Sequence, residues 1–206
     1  MAAIKTAAFQ DSPMDTALWP PHLRQKPGLE DRVDWGLACM REALSKPMVH
    51  FVVAVDATPA GDVVAGYAEW ISPKTEPKKQ GGQERKQQRL PLPISLDEDA
   101  MKKGNEEIRT LLGAEECKEA FRGRELEKMW TLNSIAVDSG YRGRGLGKML
   151  TMWGMDEADQ ACDEIWLIAS PSGRGMYESL GFKQVAAGER FGEGQFVMTK
   201  FKKMGQ

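Results

Sequence analysis

The run Arg142-Gly143-Arg144-Gly145-Leu146-Gly147-Lys148 places three glycines among three cations, directly after a stretch that reads as a β-strand. Amides left unpaired in a glycine-rich turn, with the positive end of the following helix dipole behind them, make a site for an anion such as phosphate. Spacing decides which phosphate ligand. A P-loop needs Gly-x4-Gly-Lys-Ser/Thr, but the residue five before Gly147 is Arg142 and the one after Lys148 is Met149. A dinucleotide fingerprint needs Gly-x-Gly-x-x-Gly. Counted from Gly143 and Gly145 its last position falls on Lys148, and from Gly145 and Gly147 on Leu150. The pattern that fits is Arg-x-x-Gly-x-Gly, carried by Arg142, Gly145 and Gly147.

Downstream, Ser170, Gly173 and Arg174 lead into Tyr177-Glu178-Ser179-Leu180-Gly181-Phe182. The glycine loop and this Tyr-x-x-x-Gly-Phe segment, in this order with a helix and a strand between them, resemble the GNAT superfamily of acetyltransferases over roughly residues 132–183. In that family the loop wraps the pyrophosphate of coenzyme A, and the tyrosine segment follows a strand splayed away from the one before the loop. The match departs seven and four residues before the tyrosine, where many members carry Asn and Ala and this chain has Ser170 and Gly173. The pattern from Ala136 to Phe182 is also similar to uncharacterised acetyltransferase-like proteins of filamentous fungi.

The resemblance implies acetyl-CoA as co-substrate, no metal, and acyl transfer from a thioester to an amine. That reaction needs a neutral amine, a stabilised oxyanion and a proton for the leaving thiolate. Backbone amides of Ile135, Ala136 and Val137 would pair with pantetheine and the thioester carbonyl. Arg142, Gly143, Arg144, Gly145, Leu146 and Gly147 would hold the pyrophosphate, with Lys148 and Arg174 near the adenosine phosphates and Ser170 and Gly173 at the second helix start. Tyr177 matches the family tyrosine near the CoA sulfur, and a phenol with a pKa near ~10 stays protonated at neutral pH, as a general acid must. Glu69 and Glu127 are candidate bases, and Asn133 stands where a strand bulge would let it meet the acceptor or a water. No cysteine lies near the reactive end of either motif, so direct attack in a ternary complex is expected. The acceptor reads as a small-molecule primary amine. A protein or peptide acceptor, or a CoA-binding module without turnover, are the alternatives.

These residues need elements to position them. Residues 130–138 read as a strand, and Leu146, Met149, Leu150, Trp153, Ala158 and Ala161 mark one face of the helix after the loop. Residues 164–169 form a second apolar strand, followed by a turn, a short helix at 176–180 and a last strand at 195–201. Upstream, 50–56 and 63–71 read as a hairpin, 31–45 as a helix ended by Pro47, and 4–9 as a short first strand. Helices are expected at 97–112 and 114–121. The polar stretch 72–90, rich in Lys, Gln and Gly, reads as a mobile insertion. Together these predict an α/β (α+β type) GNAT fold. Its mixed, mostly antiparallel sheet has six to seven strands, splayed into a V with helices on both faces, in one domain over 1–206. Among the six tryptophans, Trp70 is the candidate for an aromatic acceptor wall.

The 206 residues carry a formal charge of −2, which excludes a broad basic field for nucleic acid or an anionic membrane. Three cysteines without CxxC spacing argue against a disulfide framework or zinc site and for a reducing compartment. No run approaches a membrane span and the N-terminus lacks a signal pattern, so a cytoplasmic location is expected. The oligomeric state, monomer or homodimer, is left open.

Overall fold

Trp70 and its neighbours on alternate strands show how the sheet is built. The computed structural model describes residues 1–74, 90–161 and 163–201. Its helices are α1 (Ala2–Phe9), α2 (Pro13–Leu18), α3 (Glu30–Leu44), α4 (Glu98–Leu112), α5 (Glu115–Ala120), α6 (Leu146–Ala161) and α7 (Pro171–Ser179). Its strands are β1 (Val49–Thr58), β2 (Gly61–Ile71), β3 (Trp130–Val137), β4 (Ile165–Ala169), β5 (Lys183–Arg190) and β6 (Glu193–Lys200). Most of the expected insertion, 75–89, lies outside the described residues, as does Cys162.

The six strands run in the order β1-β2-β3-β4-β6-β5, and every neighbouring pair is antiparallel except β3 and β4. Side chains of paired residues share a face, so Trp70, Leu132, Leu167 and Met198, in register across four strands, form one layer beneath α6 and α7. The opposite face carries α1 and α3 over Tyr67 and Ala136, and α4 and α5 over Ala186 and Val197. Helices therefore cover both faces of a mixed, mostly antiparallel sheet, as the sequence led us to expect.

Strands β3 and β4 pair in parallel only where Trp130, Thr131 and Leu132 meet Ile165, Trp166 and Leu167. Beyond Leu132, β3 stays with β2 as far as Val137, while β4 stays with β6 as far as Ala169. The sheet thus opens into a V, and α6 and α7 both begin at its mouth. In β3 the register moves from Leu132↔Trp70 to Ser134↔Glu69, leaving Asn133 as the extra residue of a bulge. The bulge reverses the alternation: Leu132, Ile135 and Val137 pack in the layer under α6, whereas Ala136 packs under α1.

Four readings of the sequence are corrected. Residues 4–9 belong to a helix, because the alanine-rich segment favours one and Ile4, Ala8 and Phe9 then share a face over Tyr67 and Ala136. Strand β5 was not expected, since its Ala and Gly residues carry no strong strand signal. It forms because those small side chains let α4 approach: a Cβ at Gly188 would stand 3.0 Å from Leu111. Helix α7 starts at Pro171, earlier than 176, with proline at the position its fixed φ favours. Trp70 is not an acceptor wall. It is fully buried, its indole N–H donates to the Leu150 carbonyl at 3.2 Å, and it fills the notch left by Gly154 on α6.

Candidate active site

The loop after β3 is set by local bonds and by glycine. Asp138 Oδ1 accepts from the Gly140 amide at 2.9 Å, holding the turn Ser139–Tyr141. Gly143 and Gly145 then take left-handed φ values of 75° and 80°, which L side chains rarely adopt, and no atom lies within 4 Å of where a Cβ would be. Open space above a left-handed backbone, leading into a 16-residue helix, suits close approach by an anion. Gly147 faces inward instead: a Cβ there would stand 3.0 Å from Met176 Sδ, so the first turn of α6 touches α7.

The cations of the loop are placed unequally. Arg142 turns back toward the end of β3, its Nε 3.4 Å from the Val137 carbonyl. Arg144 donates from Nη2 to the Gly140 carbonyl at 3.0 Å, and its guanidinium lies 5.0 Å from the centre of the Tyr141 ring. Lys148 is exposed on the first turn of α6. Arg174 is taken up by its own surroundings, paired with Glu178 at 2.7 Å and stacked on Phe196. Ser170 occupies the N-cap position of α7, with its hydroxyl 3.0 Å from that of Ser172, and Gly173 leaves room for the Tyr177 ring.

Tyr177 is buried against Phe182, with ring centres 5.9 Å apart. Burial pushes its phenol up to about 12, and its hydroxyl has no hydrogen-bond partner among the described residues. It lies on the α6–α7 face. Glu69 lies on the other face, buried, in register with Ser134 beside the Asn133 bulge. One residue pair away, the Tyr67 hydroxyl is 2.9 Å from Ser134 Oγ. Burial drives the Tyr67 phenol far above its ordinary range. The amides of residues 133–137 that point into the V have no strand partner there. The arrangement therefore offers unpaired amides in a gap, an anion-binding loop at its mouth, a protonated phenol on one face and a carboxylate on the other.

Glu127, the second candidate base, does not belong to this group. It is exposed in the turn before β3, ion-paired with Lys74, a whole strand length from the loop. His50 has a structural role, stacked on Trp130 at 5.3 Å and 3.2 Å from Ser72 Oγ. Two features escaped the sequence reading. Tyr141 donates to Asp56 Oδ2 on β1 at 2.9 Å, tying the loop to the outer hairpin. The tip of the β5–β6 hairpin is fastened to α4: Phe191, at φ 53°, donates its amide to Glu107 Oε2 at 2.9 Å and lays its ring over Gly104. A glycine in mid-helix was the one sequence signal for that contact.

Comparisons with known proteins agree with this geometry. Residues 103–184 match the family model of the acetyltransferase (GNAT) domain. No curated protein matches the chain. Among solved structures, a Corynebacterium glutamicum protein described as histone acetyltransferase HPA2 and related acetyltransferase is similar at 18% identity. It aligns over 99% of this chain and 90% of its own, with a TM-score of 0.62. A Desulfovibrio desulfuricans protein described as a candidate GNAT acetyltransferase is similar at 15% identity, over 97% and 91%, with a TM-score of 0.50. Ribosomal-protein-alanine N-acetyltransferase from Brucella melitensis aligns more loosely, at 18% identity, over 98% and 91%, with a TM-score of 0.47. At these identities the likeness is one of fold, and the resemblance to fungal proteins gains no support from it. Residues 103–184 therefore match the acetyltransferase (GNAT) domain model, and the chain as a whole shares the fold of the solved acetyltransferases it resembles.

Proposed function

We propose that the chain, as one domain over 1–206, is a cytoplasmic N-acetyltransferase that moves the acetyl group of acetyl-CoA to a primary amine of a small molecule. The observation that carries the small-molecule reading is the position of α4. Its N-cap residue Asp97 donates a backbone N–H to the Leu18 carbonyl at the end of α2, at 2.9 Å, and Glu107 holds the β5–β6 tip through Phe191. Ten helical residues, ~15 Å, separate the two attachments. An extended peptide would need the segment after α2 and the β5–β6 tip to stand apart as the walls of an open groove. Here one helix joins them.

In this reading the loop amides of residues 142–147 hold the pyrophosphate with Arg142 and Arg144, and Lys148, Ser170, Gly173 and Arg174 flank it. Amides of Ile135, Ala136 and Val137 orient pantetheine and polarise the thioester carbonyl. Glu69, directly or through a water placed by Asn133, takes a proton from the acceptor ammonium. The freed amine adds to the carbonyl carbon, and the tetrahedral intermediate gives its second nitrogen proton to solvent as it collapses with cleavage of the carbon–sulfur bond. The departing thiolate takes the Tyr177 proton, which solvent later restores. The burial that raises the phenol also disfavours the thiolate, so donor and acceptor shift together.

Calorimetric titration with acetyl-CoA, beside a Gly145→Glu/Gly147→Glu variant, tests the site, and a panel of amines and peptides tests the acceptor. Micromolar binding lost in the variant, with turnover confined to small amines, is expected. Absence of binding by the unaltered chain sinks the reading. Turnover of peptides in preference to small amines replaces the acceptor.

A further inference from the structure

The loop residues 142–147 carry the motif, yet what fixes their position lies outside it. The Tyr141 hydroxyl reaches Asp56 Oδ2 across 85 residues of sequence, with β2 lying between β1, which bears Asp56, and β3, which leads into the turn of Tyr141. The same ring receives the Arg144 guanidinium at 5.0 Å, while Arg144 Nη2 holds the Gly140 carbonyl and Asp138 holds the Gly140 amide. Gly143 stands between these points and Gly145 directly after them, each with no atom within 4 Å of where a Cβ would be. A glycine loop left free must be ordered when a ligand binds, and that entropy is subtracted from affinity. One fixed at its start loses less.

We propose that Tyr141 and Asp56 are positioning residues for the phosphate loop, bracing it against the β1–β2 hairpin so that Arg144 and the loop amides are set before coenzyme A arrives. This rests on the coenzyme A reading of the site. Shared hydrogen bonding with the Asp56 carboxylate also holds the Tyr141 phenol above its ordinary range, so the brace persists throughout the neutral range. Tyr141→Phe keeps the ring under Arg144 and removes only the bond. Asp56→Ala removes the acceptor, and Asp56→Asn keeps one acceptor oxygen.

The test is calorimetric titration of the full chain and these variants with coenzyme A, together with amide hydrogen exchange over 139–146. Tyr141→Phe and Asp56→Ala are each expected to weaken binding roughly three- to tenfold, the net range of one ordinary hydrogen bond. Asp56→Asn is expected to recover most of the loss. The Tyr141→Phe/Asp56→Ala double variant should be no weaker than either single one, since both break one bond. Loop exchange should quicken in the free variants and return to that of the unaltered chain at saturating coenzyme A, with melting temperatures unchanged. Binding by the unaltered chain that the variants share undiminished, or losses that add in the double variant, overturns the brace alone. Failure of the unaltered chain to bind overturns the coenzyme A reading and the brace with it.

Discussion

Trp70 and Gly154 share one space: a Cβ on Gly154 would come within 2.2 Å of Trp70 Cε2, and the indole cannot retreat because its N–H is held by the Leu150 carbonyl at 3.2 Å. This contact seats α6, and with it the phosphate loop, on β2. Glycine inside a helix is ordinarily unfavourable, and here it is the condition for packing.

Two effects oppose each other in Gly154→Ala. Helix propensity favours alanine by about 1 kcal/mol. Overpacking a fixed core costs about 1–3 kcal/mol or more, and a contact this short lies at the upper end. A net loss of about 2 kcal/mol is expected in urea unfolding. A variant as stable as the parent would show that the helix can shift without cost.

Tyr177→Phe should lower kcat by about 10²-fold, the smaller end of general acid catalysis, while leaving the affinity for acetyl-CoA near that of the parent. Because burial pushes the phenol up to about 12 from 10.0, the folded chain holds that proton more tightly than the unfolded one. The stability this contributes is complete below pH 10 and declines as pH rises through 12. Unfolding followed between pH 9 and 12 should show that decline, and Tyr177→Phe should remove its share.

Glu69→Gln is expected to reduce kcat about 10²-fold with acetyl-CoA binding intact, and Glu127→Gln to change neither. Steady-state kinetics with the best amine from the panel reads both. Equal activity of Glu69→Gln and the parent would remove Glu69 from the mechanism.

Gly104→Ala places a Cβ 2.6 Å from the Phe191 ring and should unseat the hairpin tip from α4. The KM for the acceptor amine is expected to rise several-fold while that for acetyl-CoA stays. Peptide acetylation appearing in this variant would mark the α4 contact as what closes the site. Parallel loss of acetyl-CoA affinity would count against that separation.

How much could be read beforehand follows from the range of the interactions. The Arg142–Gly147 loop and the strands around it depend on near neighbours in sequence, so their local pattern was legible, and the resemblance to a known family singled out Tyr177. Asn133 was placed at a bulge, where β3 has it. The first segment misled because apolar residues at 4, 7, 8 and 9 admit either period, and only Tyr67 and Ala136 decide for the helix. Trp70, Glu127 and β5 depended on partners distant in sequence: Gly154, Lys74 and α4. The Asp56–Tyr141 bond and the Phe191–Gly104 contact span 85 and 87 positions, and no local pattern announces either.

The single extra residue at Asn133 makes β3 two half-strands in opposite phase. Its first half presents Leu132 to the α6 side, and its second presents Ile135 and Val137 to that same side, an odd number of residues on. Deleting Asn133 would therefore close the bulge into a regular ladder, with Ser134 still opposite Glu69 and with Ile135 and Val137 still facing α6. One exposed asparagine thus carries the bend of β3 alone, while the inside and outside of the strand rest on the residues that flank it.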